Sequence, residues 1–125
     1  LHLCDRRQRQ MCIRDRPYSG IVKRRNSRVL YGIERRIFYN PMWNYMNDFS
    51  NPHGTYYLDS SASIYTGYNI LDQVLLSANM IDDLENRSIK IITEVKEKML
   101  VNDLNKPDKN AYSDHLPIVF TIKGE

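Results

Sequence analysis

The clearest hydrophobic pattern lies in the second half of the chain. Tyr68 to Leu76 is a β-type run in which Ile70, Leu71, Val74, Leu75 and Leu76 surround a single carboxylate, Asp72. From Ser88 to Val95, Ile89 and Ile91 fall on one side and Lys90 on the other, the two-residue period of a strand. Pro117 to Lys123 alternates Ile118, Phe120 and Ile122 against Val119, Thr121 and Lys123, which predicts a final strand. Strands are therefore expected near residues 69–76, 88–94 and 117–123. Between them, Ser77 to Glu85 reads as a short helical turn with Ser77 as its cap. Glu94 to Leu104 suits a short helix or a charged strand extension, and Lys106 to Asn110 a loop.

The first half is less regular. Pro17-Tyr18-Ser19-Gly20 is a turn signal. Ile21 to Arg36 fits either a short helix or a polar strand pair. Residues 37–58, rich in aromatics, Asn, Pro and Gly, predict a long structured loop with short extended pieces, which in a compact domain points to function.

A chain of 125 residues suits one domain. The net charge of +3 is misleading as a whole-chain figure. Residues 1–16 hold five Arg and two Asp, and the remaining 13 basic and 13 acidic side chains balance. The body thus has no global basic bias toward nucleic acid. Both cysteines, Cys4 and Cys12, lie in the same first stretch, so the body has neither a disulfide framework nor cysteine-based zinc spacing. That fits a reducing compartment, and a cytoplasmic location is favoured. No apolar run approaches the roughly 18–20 residues needed to cross a bilayer. Residues 1–16 are expected to be a disordered or non-native basic leader, similar to the translated adapter segments found at the ends of assembled environmental reads. A basic nucleic-acid-binding arm is the alternative. Residues 17–125 are then the folded part. Within it, Lys23, Arg24, Arg25 and Arg28 form a basic cluster that reads as a solvated face, with attraction of phosphates as the alternative.

The strongest chemical signal is Tyr112-Ser113-Asp114-His115-Leu116-Pro117, directly before the last predicted strand. An imidazole there can exchange a proton near neutral pH, and the adjacent carboxylate suits a hard cation such as Mg²⁺. Asp72 inside an apolar strand would cost several kcal/mol unless paired, the alternative being a solvent-facing side of an edge strand. A histidine Nδ1–H is a natural partner, fixing the tautomer and supporting a charged ring. Asp72 and His115 are therefore expected within hydrogen-bonding distance, through pairing of the Asp72 strand with the strand after His115. Asp114 is expected at the same concave end. Trp43, Tyr56, Tyr57 and Tyr68 can stack on a base or sugar. Tyr68, four residues before Asp72, is the best placed of them, and His53 beside Gly54 can touch a phosphate.

Ser-Asp-His-Leu-Pro before a closing strand, preceded by Leu-Asp-Gln-Val-Leu-Leu-Ser, resembles the endonuclease/exonuclease/phosphatase superfamily. The resemblance runs from about Pro17 to Ile122. It includes Phe38-Tyr39-Asn40-Pro41-Met42-Trp43 and Pro52-His53-Gly54-Thr55-Tyr56-Tyr57, which look like segments of bacterial members. It implies an α/β fold, the C-terminal half of a two-sheet sandwich with outer helices. It also implies metal-dependent hydrolysis of phosphoester bonds with Mg²⁺ or Mn²⁺. On that likeness His115 is the acid/base residue, Asp72 its orienting partner and Asp114 a metal-associated carboxylate. The substrate would be a nucleic acid, a nucleotide or a phospholipid headgroup. The superfamily's Glu ligand, early Asn and Gly-Asp-Phe-Asn turn find no match here. The expectation is therefore a partial domain, inactive alone. The alternatives are a non-catalytic truncated domain or a small nucleic-acid-binding protein. Asn47-Asp48-Phe49-Ser50 imitates the missing turn, but no apolar strand leads into it, and Asp48 is assigned no role.

Overall fold

The computed structural model describes residues 15–46, 52–85 and 87–124. Most of the expected leader and Asp48 lie outside the described residues. Asp15–Arg16 forms β1, paired in parallel with β4, Phe38–Tyr39. The Arg16 carbonyl accepts the Asn40 N–H at 2.8 Å, so the folded part reaches two residues past the boundary expected at Pro17.

Ile21 to Arg36 takes both readings in turn. Ser19–Arg24 is a helix, α1, and buries only Val22. Ser27–Leu30 (β2) and Ile33–Arg36 (β3) then form an antiparallel hairpin. Its connection is Tyr31–Gly32, both at positive φ, the two-residue turn whose twist matches a hairpin. After β4 the chain enters a 3₁₀ turn over Pro41–Met46. Tyr56–Leu58 (β5) pairs antiparallel with Gly67–Asn69 (β6).

The strand expected over 69–76 is not formed. The chain leaves the ladder after Asn69 and regains a partner at Leu76, which exchanges both backbone hydrogen bonds with Tyr39 at 2.8 Å. The reason is local: the N–H groups of Leu71 and Asp72 donate to the Thr55 hydroxyl oxygen, and the Gln73 side-chain amide donates to the Ile70 carbonyl. Side chains satisfy what a neighbouring strand would otherwise satisfy. The 3₁₀ turn Ala78–Asp83 follows, with Ser77 at the cap position. The Ser77 hydroxyl does not cap it, and instead bonds the Asn79 side chain at 2.5 Å.

The later expected strands are cut short. Lys90–Ile91 (β7), Glu94–Val95 (β8), Lys98–Met99 (β9) and Ile118–Val119 (β10) are two residues each. β10 pairs antiparallel with β7, and β8 with β9 through a turn at Lys96–Glu97, both at positive φ. The 94–104 segment is therefore a hairpin rather than a helix. The chain is α/β in content, with five small two-stranded pairings among the described residues and few helices. One core of Val22, Ile37, Met42, Val74, Leu76, Ile81, Ile91 and Leu116 is packed by Tyr39 of β4, Tyr68 of β6 and Ile118 of β10, and the β2–β3 and β8–β9 hairpins add no residue to it. An ion pair between Lys23 and Asp82 holds α1 to the Ala78–Asp83 turn.

Candidate active site

The loop carrying His115 is fixed from both sides. Asp108 holds its start: the Asp108 carboxylate accepts the Ala111 N–H at 3.2 Å and its carbonyl the Tyr112 N–H at 2.9 Å. The Ser113 hydroxyl then accepts the His115 N–H at 3.1 Å. Leu116, fully buried, anchors the loop in the core, and its N–H donates to the Thr55 carbonyl at 2.7 Å. His115 consequently lies opposite Tyr56 on β5.

His115 and Asp72 meet. The imidazole Nδ1 and the Asp72 Oδ2 are 2.6 Å apart, across 43 positions of sequence. The route differs from the expected one. β10, which follows His115, pairs with β7, and the Asp72 segment is no strand. Thr55 makes the connection instead. Its carbonyl holds Leu116, its hydroxyl oxygen holds Leu71 and Asp72, and its N–H donates to Asn69 at 3.0 Å. Thr55 is 0% exposed, and its bonds to Leu71 and Asp72 are partly buried. Gly54 is required beside it: a Cβ there would lie 2.6 Å from the Asn69 carbonyl oxygen.

The pair is not a buried one. The side chains of His115 and Asp72 are 40% and 46% exposed. The cost expected for a carboxylate inside an apolar strand is therefore not what joins them, because Asp72 sits at a bend that water reaches. Position joins them: Thr55 holds both backbones, and the side chains close the gap.

With Nδ1 directed at Asp72, Nε2 is the nitrogen left for a ligand. A depression of about 380 Å³ opens beside the pair, lined by Gln73, Val74, Ser113, Leu116, Ile118 and Phe120 among others. Gln73 is held there by Asn40, which is 1% exposed and donates from Nδ2 to Gln73 Oε1 at 2.9 Å. The Tyr56 ring stands 5.0 Å from the His115 ring, tilted by 40°.

Other residues expected near the site stand elsewhere. Tyr68 is opposite Tyr57 in the β5–β6 register, whereas Tyr56 is opposite Asn69. Successive strand residues face opposite sides, so Tyr68 is on the face away from Tyr56 and His115. There it packs edge-on to Tyr57 at 5.2 Å and donates its hydroxyl to the Asn105 carbonyl at 2.6 Å. Burial, and to a smaller degree Tyr57, raises its pKa above the usual tyrosine value. His53 is exposed and its ring lies 6.3 Å from that of Tyr68. Neither lines the depression.

Asp114 is exposed and does not line it either. Among the described residues there is no group of three His, Cys, Asp or Glu side chains that could hold a metal ion. Mg²⁺ wants several oxygen ligands in near-octahedral geometry. Asp114 alone does not supply them, and Asp72 is engaged with His115. The described residues do not fit a Mg²⁺ or Mn²⁺ centre, and a cation bound to this protein would need ligands from outside them.

Thr55, Asn40 and Gln73 escape a reading of the sequence for catalytic residue types. Their signal is weak: an Asn between an aromatic pair and Pro41, and a small polar residue after Pro-His-Gly. The structure defines the class: a small α/β chain presenting a half-exposed, hydrogen-bonded His–Asp pair above a mostly apolar depression. Compared with protein-family models, curated proteins and solved structures, the chain matches none.

Proposed function

We propose that this chain carries the histidine–aspartate part of a phosphoester hydrolase site, set in a two-sheet α/β sandwich of the endonuclease/exonuclease/phosphatase kind. The single observation that supports it is the 2.6 Å contact between His115 Nδ1 and Asp72 Oδ2. Asp72 accepts a hydrogen bond from Nδ1–H, which leaves the Nε2 lone pair facing a ligand. Nε2 takes a proton from water as the water oxygen attacks phosphorus. Asp72 stabilises the resulting imidazolium. As the ester P–O bond breaks, the departing oxygen takes that proton back.

The test is imidazole nitrogen NMR on the whole chain, with inorganic phosphate as the probe. The expected result is a ring protonated at Nδ1, with an Nε2 signal that moves saturably as phosphate is added. Asp72→Asn should remove the tautomer preference. A His115 ring that does not respond to tens of millimolar phosphate would defeat the proposal.

The lack of a three-ligand group among the described residues favours a second reading, a non-catalytic module. In it the Asp72–His115 contact merely fastens two loops, and phosphate leaves the ring unchanged.

A further inference from the structure

The charge balance of the chain after residue 16 hides a separation. Residues 17–37 hold six basic side chains and one acidic, whereas residues 38–125 hold seven basic and twelve acidic. The fold gathers the first set on α1 and the β2–β3 hairpin. Arg28 lies directly opposite Arg35 in the hairpin register. Like charges in that relation destabilise a ribbon unless something anionic comes between or beside them. Next to the hairpin, Arg16, Arg25 and Arg28 with Ser27 line a cavity of about 410 Å³.

The tip of the same hairpin is apolar. Tyr31 occupies the first turn position at φ 52°, in the left-handed region that this turn normally gives to Asn, Asp or Gly. Its ring is 94% exposed, and Val29 at 65% and Ile33 at 55% flank the tip on opposite faces of the ribbon, Val29 across from Glu34 and Ile33 across from Leu30. A strained aromatic held in water at the apex of a basic hairpin has no role in the packing of this fold.

We propose that the β2–β3 hairpin is a docking element for anionic phospholipid surfaces. Tyr31, Val29 and Ile33 enter the boundary between headgroups and acyl chains, where apolar area is buried and tyrosine is well accommodated. Arg25, Arg28 and Arg35 form a collar at the level of the lipid phosphates. Their stems lie along apolar surface and their guanidinium groups pair with phosphate oxygens. Lipid negative charge between Arg28 and Arg35 relieves their repulsion. A nucleic acid would satisfy the arginines equally, but its phosphate backbone offers nothing to exposed Val29 and Ile33. The apolar tip decides for lipid. This element stands apart from the His115 depression and does not depend on the chemistry proposed there.

Vesicle flotation tests it, with phosphatidylcholine vesicles and mixed phosphatidylcholine–phosphatidylglycerol vesicles. The chain should float with the mixed vesicles only, and less so as salt rises. Arg28→Gln and Arg35→Gln should each lower partitioning about fivefold. Tyr31→Gly relieves the backbone strain, so it should melt no lower than the parent, yet bind mixed vesicles several-fold more weakly. Equal binding to both vesicle types, or Tyr31→Gly binding like the parent, would overturn the proposal. So would a short DNA duplex that binds more tightly than mixed vesicles through the same arginines.

Discussion

Replacing Thr55 by Val changes the shape of the side chain little and removes one oxygen. That oxygen accepts the N–H groups of Leu71 at 3.2 Å and Asp72 at 3.1 Å. In Thr55→Val both donors lose their partner. An orphaned buried donor costs about 1–3 kcal/mol. Both are only partly buried, so the lower end applies and the sum is about 2–3 kcal/mol. For a chain of this length that is a fall in Tm of roughly 6–15 °C. The same change frees the Asp72 backbone, so His115 should lose its Nδ1 partner. Thr55→Ser is the control. It keeps the oxygen and loses a methyl group, at about 1 kcal/mol. Calorimetry measures the first effect and imidazole nitrogen NMR the second. If Thr55→Val and Thr55→Ser melt together, or if Thr55→Val keeps the Nδ1–H signature of His115, Thr55 is not the joint of the site.

Four further outcomes are expected. Asp72→Asn should change stability by only about 0–1 kcal/mol in denaturant unfolding, because the pair is half exposed to solvent; a loss of several kcal/mol would restore the buried reading. Gly54→Ala places a Cβ against the Asn69 backbone and should cost about 1–3 kcal/mol, with broadened amide signals across β5 and β6. Tyr68 has a folded pKa raised by burial, so its stabilising contribution is complete below the ordinary tyrosine value of about 10 and fades as pH climbs through the higher folded value. Thermal melts of the parent and Tyr68→Phe at rising alkaline pH should show the larger loss in the parent. Asp114→Asn should leave any heat of Mg²⁺ binding in a calorimetric titration unchanged, because Asp114 belongs to no group of possible ligands among the described residues; a tight single site abolished by Asp114→Asn would contradict the site geometry.

The sequence by itself determined which residue types carry chemistry and where the chain turns. Ser113-Asp114-His115-Leu116-Pro117 announces itself because a His, an Asp and a Pro before an alternating run are local features. The turn at Ser77 to Glu85 is local too, since a turn depends on the residues within it, whereas Ile21 to Arg36 stayed open between a helix and a strand pair because Tyr31–Gly32 is not a typical hairpin turn. The expectation of a strand over 69–76 failed because apolar content does not say where a backbone N–H finds its acceptor. Thr55 lies 16 and 17 positions before Leu71 and Asp72 and takes both.

Only the tertiary structure decided the rest of the site. The side of β5 on which an aromatic stands is a matter of register, which has period two. A one-residue difference therefore puts Tyr56 beside His115 and sends Tyr68 to Asn105. Asp114, one residue from His115, is exposed and does not line the depression that its neighbours Ser113 and His115 line. Exposure was likewise undecided: the sequence allows Asp72 a buried place among Ile70, Leu71 and Val74 or a solvent-facing side of an edge strand, and the bend leaves it half in water. Residue type is written along the chain. Which face a side chain takes, and which distant donor it meets, depends on long-range contacts that no local stretch encodes.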